Sequence, residues 1–144
     1  MDDRMKTHGD FGWCELMTDD VDSAIAFYTK VIGWEVETVD VGMGPYHVLK
    51  TQSQPVAGIM AKPAEAGAAP NAWTSYITVD DVDKRVAAVR SAGGQVFMGP
   101  MDVPSVGRFA TISDPTGGVI GINVPGQRRK NTSYSWPYSR PNAS

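Results

Sequence analysis

The apolar and polar positions of this chain run through two rhythms, and they do so twice in the same order. Phe11–Met17 has the character of a strand. Asp19 and Asp20 then offer side-chain oxygens that can cap a helix. From Val21 the apolar residues are Val21, Ala24, Ile25, Phe27, Tyr28, Val31 and Ile32, and most fit one face of a helix. Gly33 suits the position just past a helix end, where a positive φ is needed. Trp34–Val41 mixes β-branched and polar residues like a half-buried strand. Tyr46–Lys50 and Val56–Met60 read as two short strands, with turn chemistry in Thr51–Pro55 between them. After a linker, Lys62–Ala72, the order returns. Trp73–Val79 is a strand, Val82–Arg90 a helix with Val82, Val86 and Val89 inward, and Gly93-Gly94 its end. Gln95–Met98, Gly107–Ile112 and Val119–Val124 are strands, and Asp114-Pro-Thr-Gly-Gly118 is a tight turn.

Each copy is therefore βαβββ, and the residues themselves repeat. Thr18-Asp-Asp-Val-Asp22 falls on Val79-Asp-Asp-Val-Asp83 at an offset of 61. Gly44-Pro-Tyr46 falls on Gly107-Arg-Phe109, and Val56-Ala-Gly-Ile59 on Val119-Ile-Gly-Ile122, at an offset of 63. At 144 residues the chain makes one compact core, whereas each half alone would be marginal. Two modules, 11–61 and 73–125, should pack about a pseudo-two-fold axis as one domain with a function at their seam. Residues 1–10 form a polar leader. Residues 126–144 form a basic and aromatic tail, with Arg128-Arg-Lys130, Tyr134, Trp136 and Tyr138. The tail's aromatics are expected to dock on this subunit or another.

A net charge of −3 gives no basic face for nucleic acid. No apolar run is long enough for a membrane helix, and Met1–Lys6 lacks the apolar core of a signal peptide. Cys14 is the single cysteine, so no internal disulfide forms. Asn131-Thr-Ser133 matches a glycosylation acceptor but has little meaning without secretion. These features imply a cytoplasmic protein.

The strings Thr18-Asp-Asp-Val, Ala26-Phe-Tyr, Val31-Ile-Gly33 and Asp114-Pro-Thr-Gly117 carry a family resemblance. With the duplicated βαβββ module, they resemble the vicinal oxygen chelate superfamily of glyoxalase I, bleomycin-resistance proteins and extradiol dioxygenases. Trp13-Cys-Glu-Leu16 and Val106-Gly-Arg-Phe109 look closest to a branch of tandem bacterial hydroxylase-like and glyoxalase-like proteins. The resemblance covers residues 11–125 and implies an α+β fold whose mixed sheet rolls into a cup. In metal-dependent members, His, Glu or Gln ligands sit on the first and last strands of each module. Carried onto this chain, those positions are Trp13, Gly58, Thr74 and Gly121. None supplies the imidazole, thiolate or carboxylate that a divalent ion needs, so no metal cofactor is expected. A site built on His8 or His47 would need new geometry.

Strand alternation then selects the cup wall. If Trp13 faces inward, so do Phe11, Glu15 and Met17, while Cys14 and Leu16 face the helices. Thr74 implies Tyr76 and Thr78, Gly58 implies Val56 and Met60, and Gly121 implies Val119 and Asn123. The candidate ligand-binding residues are Trp13, Met17, Tyr46, His47, Gly58, Met60, Thr74, Tyr76, Arg108, Gly121 and Asn123. Glu15 is the candidate catalytic residue: a buried carboxylate able to take a proton, or one paired with Arg108 or open to water. Trp13 stacks on a ligand or plugs the core. Tyr46 and His47 exchange places with a one-residue change of facing. Arg108 either clamps an anion or stiffens its turn through an ion pair. The aspartates at 19/20 and 80/81 are helix caps. Ser105 and Ser113 have no positioned histidine beside them, and Gly93-Gly94 closes a helix rather than cradling phosphate. The sequence thus points to a homodimeric, metal-free protein that holds a small molecule in its cup. Two alternatives stand beside it: a glyoxalase-like lyase, isomerase or dioxygenase-related enzyme using Glu15 or an unconventional metal site, and an assembly subunit whose cup is filled.

Overall fold

A computed structural model of the chain describes residues 7–41, 44–103 and 107–125. The basic and aromatic tail and Ser105, singled out in the sequence, lie outside the described residues. The first repeat contains β1 (Phe11–Thr18), α1 (Val21–Val31), β2 (Glu35–Asp40), β3 (Pro45–Thr51) and β4 (Gln54–Ala61). The second contains β5 (Ala72–Thr78), α2 (Val82–Ser91), β6 (Gln95–Val103), β7 (Gly107–Ser113) and β8 (Val119–Pro125). The strands form one eight-stranded sheet in the order β2-β3-β4-β1-β5-β8-β7-β6. Exchanging the repeats leaves this order unchanged, which is the pseudo-two-fold symmetry expected from the duplication. β1 and β5 meet antiparallel at the centre, so both halves of the cup come from one chain.

The helices start and stop where their caps dictate. Asp20 accepts the Ser23 amide at 3.0 Å, and Asp81 accepts the Lys84 amide at 3.0 Å. Gly33 and Gly93 follow the two helices with φ of 85° and 89°. On the helix face, Leu16, Leu49, Ala57 and Ile59 pack under Val21, Ala24, Ile25 and Tyr28 of α1. Val82 and Val86 of α2 pack with Val79, Ala110 and Ile122. The opposite face is the cup. Its core joins Trp13, Met17, Tyr46 and Val48 of the first repeat to Tyr76, Met98, Val103 and Phe109 of the second.

Several local details differ from the sequence expectation, each for a backbone reason. Gln52 and Ser53 have positive φ, 48° and 62°, and close β3 to β4 as a two-residue hairpin. Gln54 and Pro55 therefore belong to β4, opposite Thr51 and Lys50. β6 continues past Gly99-Pro100 to Val103 because register shifts between Val96 and Met98, and between Met98 and Met101, absorb the interruption. A shift at Gly12 pairs Phe11 with Ile77 rather than keeping it in step with Trp13. Ile77 packs on the α2 cluster, so Phe11 lies on the helix side and is exposed instead of facing the cup. A shift at Val56 likewise sends that side chain to the α1 cluster. Val119 is exposed at the start of β8. Val31 and Ile32, expected on the buried face of α1, are more than half exposed, as is Phe27, which stands off that face.

A buried carboxylate between two tyrosines

β1 carries Glu15 to the centre of the cup face, where Gly58 of β4 and Thr74 of β5 stand on either side of it. A charged side chain there is 8% exposed and needs partners. Tyr46 Oη donates to Glu15 Oε2 at 2.6 Å, and Tyr76 Oη donates to Glu15 Oε1 at 3.2 Å. Trp13 Nε1 donates in turn to Tyr46 Oη at 2.8 Å. Thr111 supports the Tyr76 hydroxyl. Both carboxylate oxygens therefore rest on phenolic hydrogens, and Arg108 plays no part in holding them.

Burial is the larger influence on Glu15 and raises its pKa from 4.5 to about 7, even though both tyrosine hydrogen bonds oppose that rise. Burial, and next the Glu15 charge, hold Tyr46 and Tyr76 well above the usual tyrosine range. The tyrosines thus remain donors at neutral pH while the carboxylate changes charge. A protonated carboxyl has one hydrogen to give. Given to a tyrosine oxygen, that hydrogen turns the tyrosine's own proton towards another acceptor.

The two glycines beside this centre explain its shape. A Cβ on Gly58 would collide with the Tyr46 ring and hydroxyl, and one on Gly121 would strike the Tyr76 ring. The tyrosine rings fill the space over these two glycines. Trp13 presents an N–H, which has no lone pair to offer an ion, and Thr74 is a half-buried hydroxyl residue across from Glu15. These side chains do not fit a divalent ion at the four family positions. Among the described residues, no three His, Cys, Asp or Glu side chains gather as a metal-binding group.

A narrow concavity of about 30 Å³, open at its mouth, lies over the centre. Trp13, Glu15, Tyr46 and Met60 line it from the first repeat, and Tyr76, Val103, Phe109 and Asn123 from the second, with Gly107 and Arg108 at its border. Of the sequence candidates, Trp13, Glu15, Tyr46, Met60, Tyr76 and Asn123 thus share one wall. Met17 belongs to the cup core without lining the cavity, and Gly58 and Gly121 lie beneath the tyrosine rings. His47 is corrected: Tyr46 and Val48 face the cup, so His47 points to the other side, opposite Ile59, and hydrogen-bonds Thr38 Oγ1 at 2.9 Å. Arg108 takes the ion-pair alternative of its two readings while bordering the cavity. Its neighbours Phe109 and Ala110 face the cup and α2, and its guanidinium reaches Asp83 of α2 through bonds of 2.8 and 2.9 Å and Asp102 at 3.2 Å. His8 accepts the Asp80 amide at 3.0 Å, away from the cup.

Sequence reasoning missed Val103, Phe109 and Thr111. Phe109 was within reach, because it is the repeat mate of Tyr46 at the offset of 63. Asn123 Oδ1 is buried and lacks a hydrogen-bond partner among the described residues.

The family profile of the Glyoxalase/Bleomycin resistance protein/Dioxygenase superfamily matches residues 10–122. The chain belongs to that superfamily. It is similar to CFP32 of Mycobacterium tuberculosis, which carries a provisional glyoxylase name, with 43% identity over 114 residues, 78% of this chain and 43% of the relative. It is also similar to the anthracycline biosynthesis protein DnrV of Streptomyces peucetius, at 33% over 123 residues, 76% of this chain and 45% of the relative. The chain therefore spans less than half the length of these curated relatives. Among solved structures, methylmalonyl-CoA epimerase of Streptomyces coelicolor superposes with a TM-score of 0.55 and 18% identity, covering 84% of this chain and 97% of the enzyme. The hypothetical protein BH1468 of Bacillus halodurans superposes with a TM-score of 0.57 and 11% identity, covering 87% of this chain and 100% of that one. At such identities the likeness establishes the fold.

Proposed function

We propose that this chain binds a flat, largely apolar small molecule in its cup without a resident metal, with Glu15 as the polar anchor. The observation that carries this reading is the single wall of Trp13, Tyr46, Met60, Tyr76 and Phe109 around one hydrogen-bonded carboxyl group. Apolar and aromatic linings with a few placed polar groups are the usual composition of small-molecule sites. The metal-free part is supported by the donor set at the four family positions and by the tyrosine rings packed against Gly58 and Gly121. The name of DnrV supports the ligand's shape, since anthracyclines are built on fused aromatic rings. Binding of fused-ring aromatics, read by Trp fluorescence in the presence and absence of a chelator, tests this. Saturable binding that survives chelation is expected. Binding that appears only with added zinc, nickel or iron, or stoichiometric metal in the purified protein, would refute the metal-free reading.

We also propose a cytoplasmic homodimer. The exposed Phe27, Val31 and Ile32 on α1 support association with a second copy. Sedimentation at micromolar concentration should give a dimer, and a strict monomer would rule it out. No described helix is long and apolar enough to cross a membrane.

A further inference from the structure

We propose, resting on the reading of the cup as a ligand pocket, that Asn123 sets its specificity by selecting aromatic molecules that carry a neutral hydroxyl group. β8 turns Gly121 and Asn123 towards the cup and Ile122 into the α2 cluster. Asn123 is 7% exposed and lines the cavity. Its Oδ1 has no hydrogen-bond partner among the described residues. A buried acceptor without a donor costs stability, so its place on a cavity wall calls for a function.

The repeats show that the fold itself does not require polarity at this place. In the first repeat the corresponding cross-strand pair is Met17 and Met60. In the second it is Thr78 and Asn123, both buried. One backbone frame thus accepts two thioethers in one copy and carries a hydroxyl and an amide in the other. Met60 and Asn123 both line the cavity, so the exchange changes what a ligand meets there.

An amide oxygen can only accept, so the ligand must bring the hydrogen. Phe109 pairs with Asn123 across β7 and β8, and the Phe109 and Tyr76 rings stand edge to face with centroids 6.1 Å apart. A flat ring seated against them brings a hydroxyl substituent beside the amide. The donor is neutral, because a buried cation needs a counter-charge. Glu15, the acid of the wall, stands beside Thr74 while Asn123 stands beside Thr78, a separation of about 13 Å along the strands.

The test is calorimetric titration of the full chain with 2-naphthol and with its methyl ether, 2-methoxynaphthalene, which keeps the rings and loses the hydrogen. The parent protein should bind 2-naphthol about tenfold or more tightly than the ether, since a site built around a hydroxyl discriminates against an analogue without it. Asn123→Leu, close to asparagine in size, should weaken 2-naphthol about tenfold and leave the ether bound as before or better. Asn123→Met, which copies Met60 of the first repeat, should lose the preference in the same way. Equal affinity of the parent for the two compounds refutes the selection while the pocket stands. So does a preference that survives in both variants, or a loss that falls on both compounds alike, which is what a residue that only shapes the wall would give. If neither compound binds the parent, the pocket reading fails for fused-ring aromatics together with the proposal.

Discussion

Set side by side, the two repeats place Trp13 opposite Thr74, Glu15 opposite Tyr76, Tyr46 opposite Phe109, Gly58 opposite Gly121 and Met60 opposite Asn123. The backbone frame around these pairs is the same in both copies. Each first strand lies parallel to its own last strand, and the glycine of that last strand sits beneath a tyrosine ring. The side chains have diverged. The first repeat holds the carboxylate and the Trp13–Tyr46 chain that feeds it. The second answers with a phenol at the carboxylate's own position and with Phe109, which has no hydroxyl, where Tyr46 stands. A symmetric cup has become a one-sided site, with one carboxylate at its centre rather than two like charges that would repel one another.

The comparison can be broken most severely at the shared glycines. Gly58→Val and Gly121→Val should each cost about 3 kcal/mol or more in chemical denaturation, because the new side chain meets an aromatic ring that is itself packed in the core. If either is tolerated, the tyrosines do not occupy the space assigned to them.

The next effect belongs to Glu15. Its folded pKa of about 7 stands above the ordinary 4.5, so the folded chain holds this proton more tightly than the unfolded chain. Its contribution is fully present below about 4.5, is lost as pH rises towards 7, and is absent above. Between pH 5 and pH 8 the loss should amount to roughly 2–3 kcal/mol. Glu15→Gln should remove that slope and leave the protein more stable than the parent at pH 8. Unfolding curves at both values check the sign, and a parent protein that gains stability from pH 5 to pH 8 would contradict it.

Making the first repeat like the second tests the one-sidedness itself. Tyr46→Phe copies Phe109 and should cost about 1–3 kcal/mol, the range for losing a buried donor to a charged group. It should also move the Glu15 pKa further up, since the Tyr46 hydroxyl pulls it down; carboxyl NMR titration reads this directly. Tyr76→Phe, with the longer bond, should cost less.

The smallest effects distinguish the helices. Asp20→Ala and Asp81→Ala should each cost about 1 kcal/mol. α1 has no fully buried residue, whereas α2 buries Val82 and Val86. Loss of the α1 cap should therefore show first as faster amide exchange confined to Val21–Val31.

Much of this architecture was legible because it is written in local rules. The aspartate caps, the glycines after the helices and the period-two runs do not depend on distant parts of the chain. The cup wall was legible wherever a strand kept strict alternation, as from Trp13 through Glu15 to Met17. It failed at Phe11 and Val56, where one extra residue in a strand reverses the facing of what lies beyond. His47 failed for a related reason, since its facing hangs on a parity that only the pairing with Ile59 reveals. The carboxylate's partners were hidden more deeply. Tyr46 and Glu15 are 31 residues apart, and Tyr76 and Glu15 are 61 apart. Only the rolled sheet brings them together.

The packing of Tyr46 over Gly58 and of Tyr76 over Gly121 also shapes how the sequence can change from here. A longer side chain at either glycine is blocked while the ring remains, and shrinking the ring first opens a void and removes a partner from Glu15. Each return path thus begins with a damaging step whichever residue moves first, and it must be taken once in each repeat. The interlock works as a mutational ratchet: single substitutions can tune this cup, but restoring side-chain ligands to its last strands requires coupled changes.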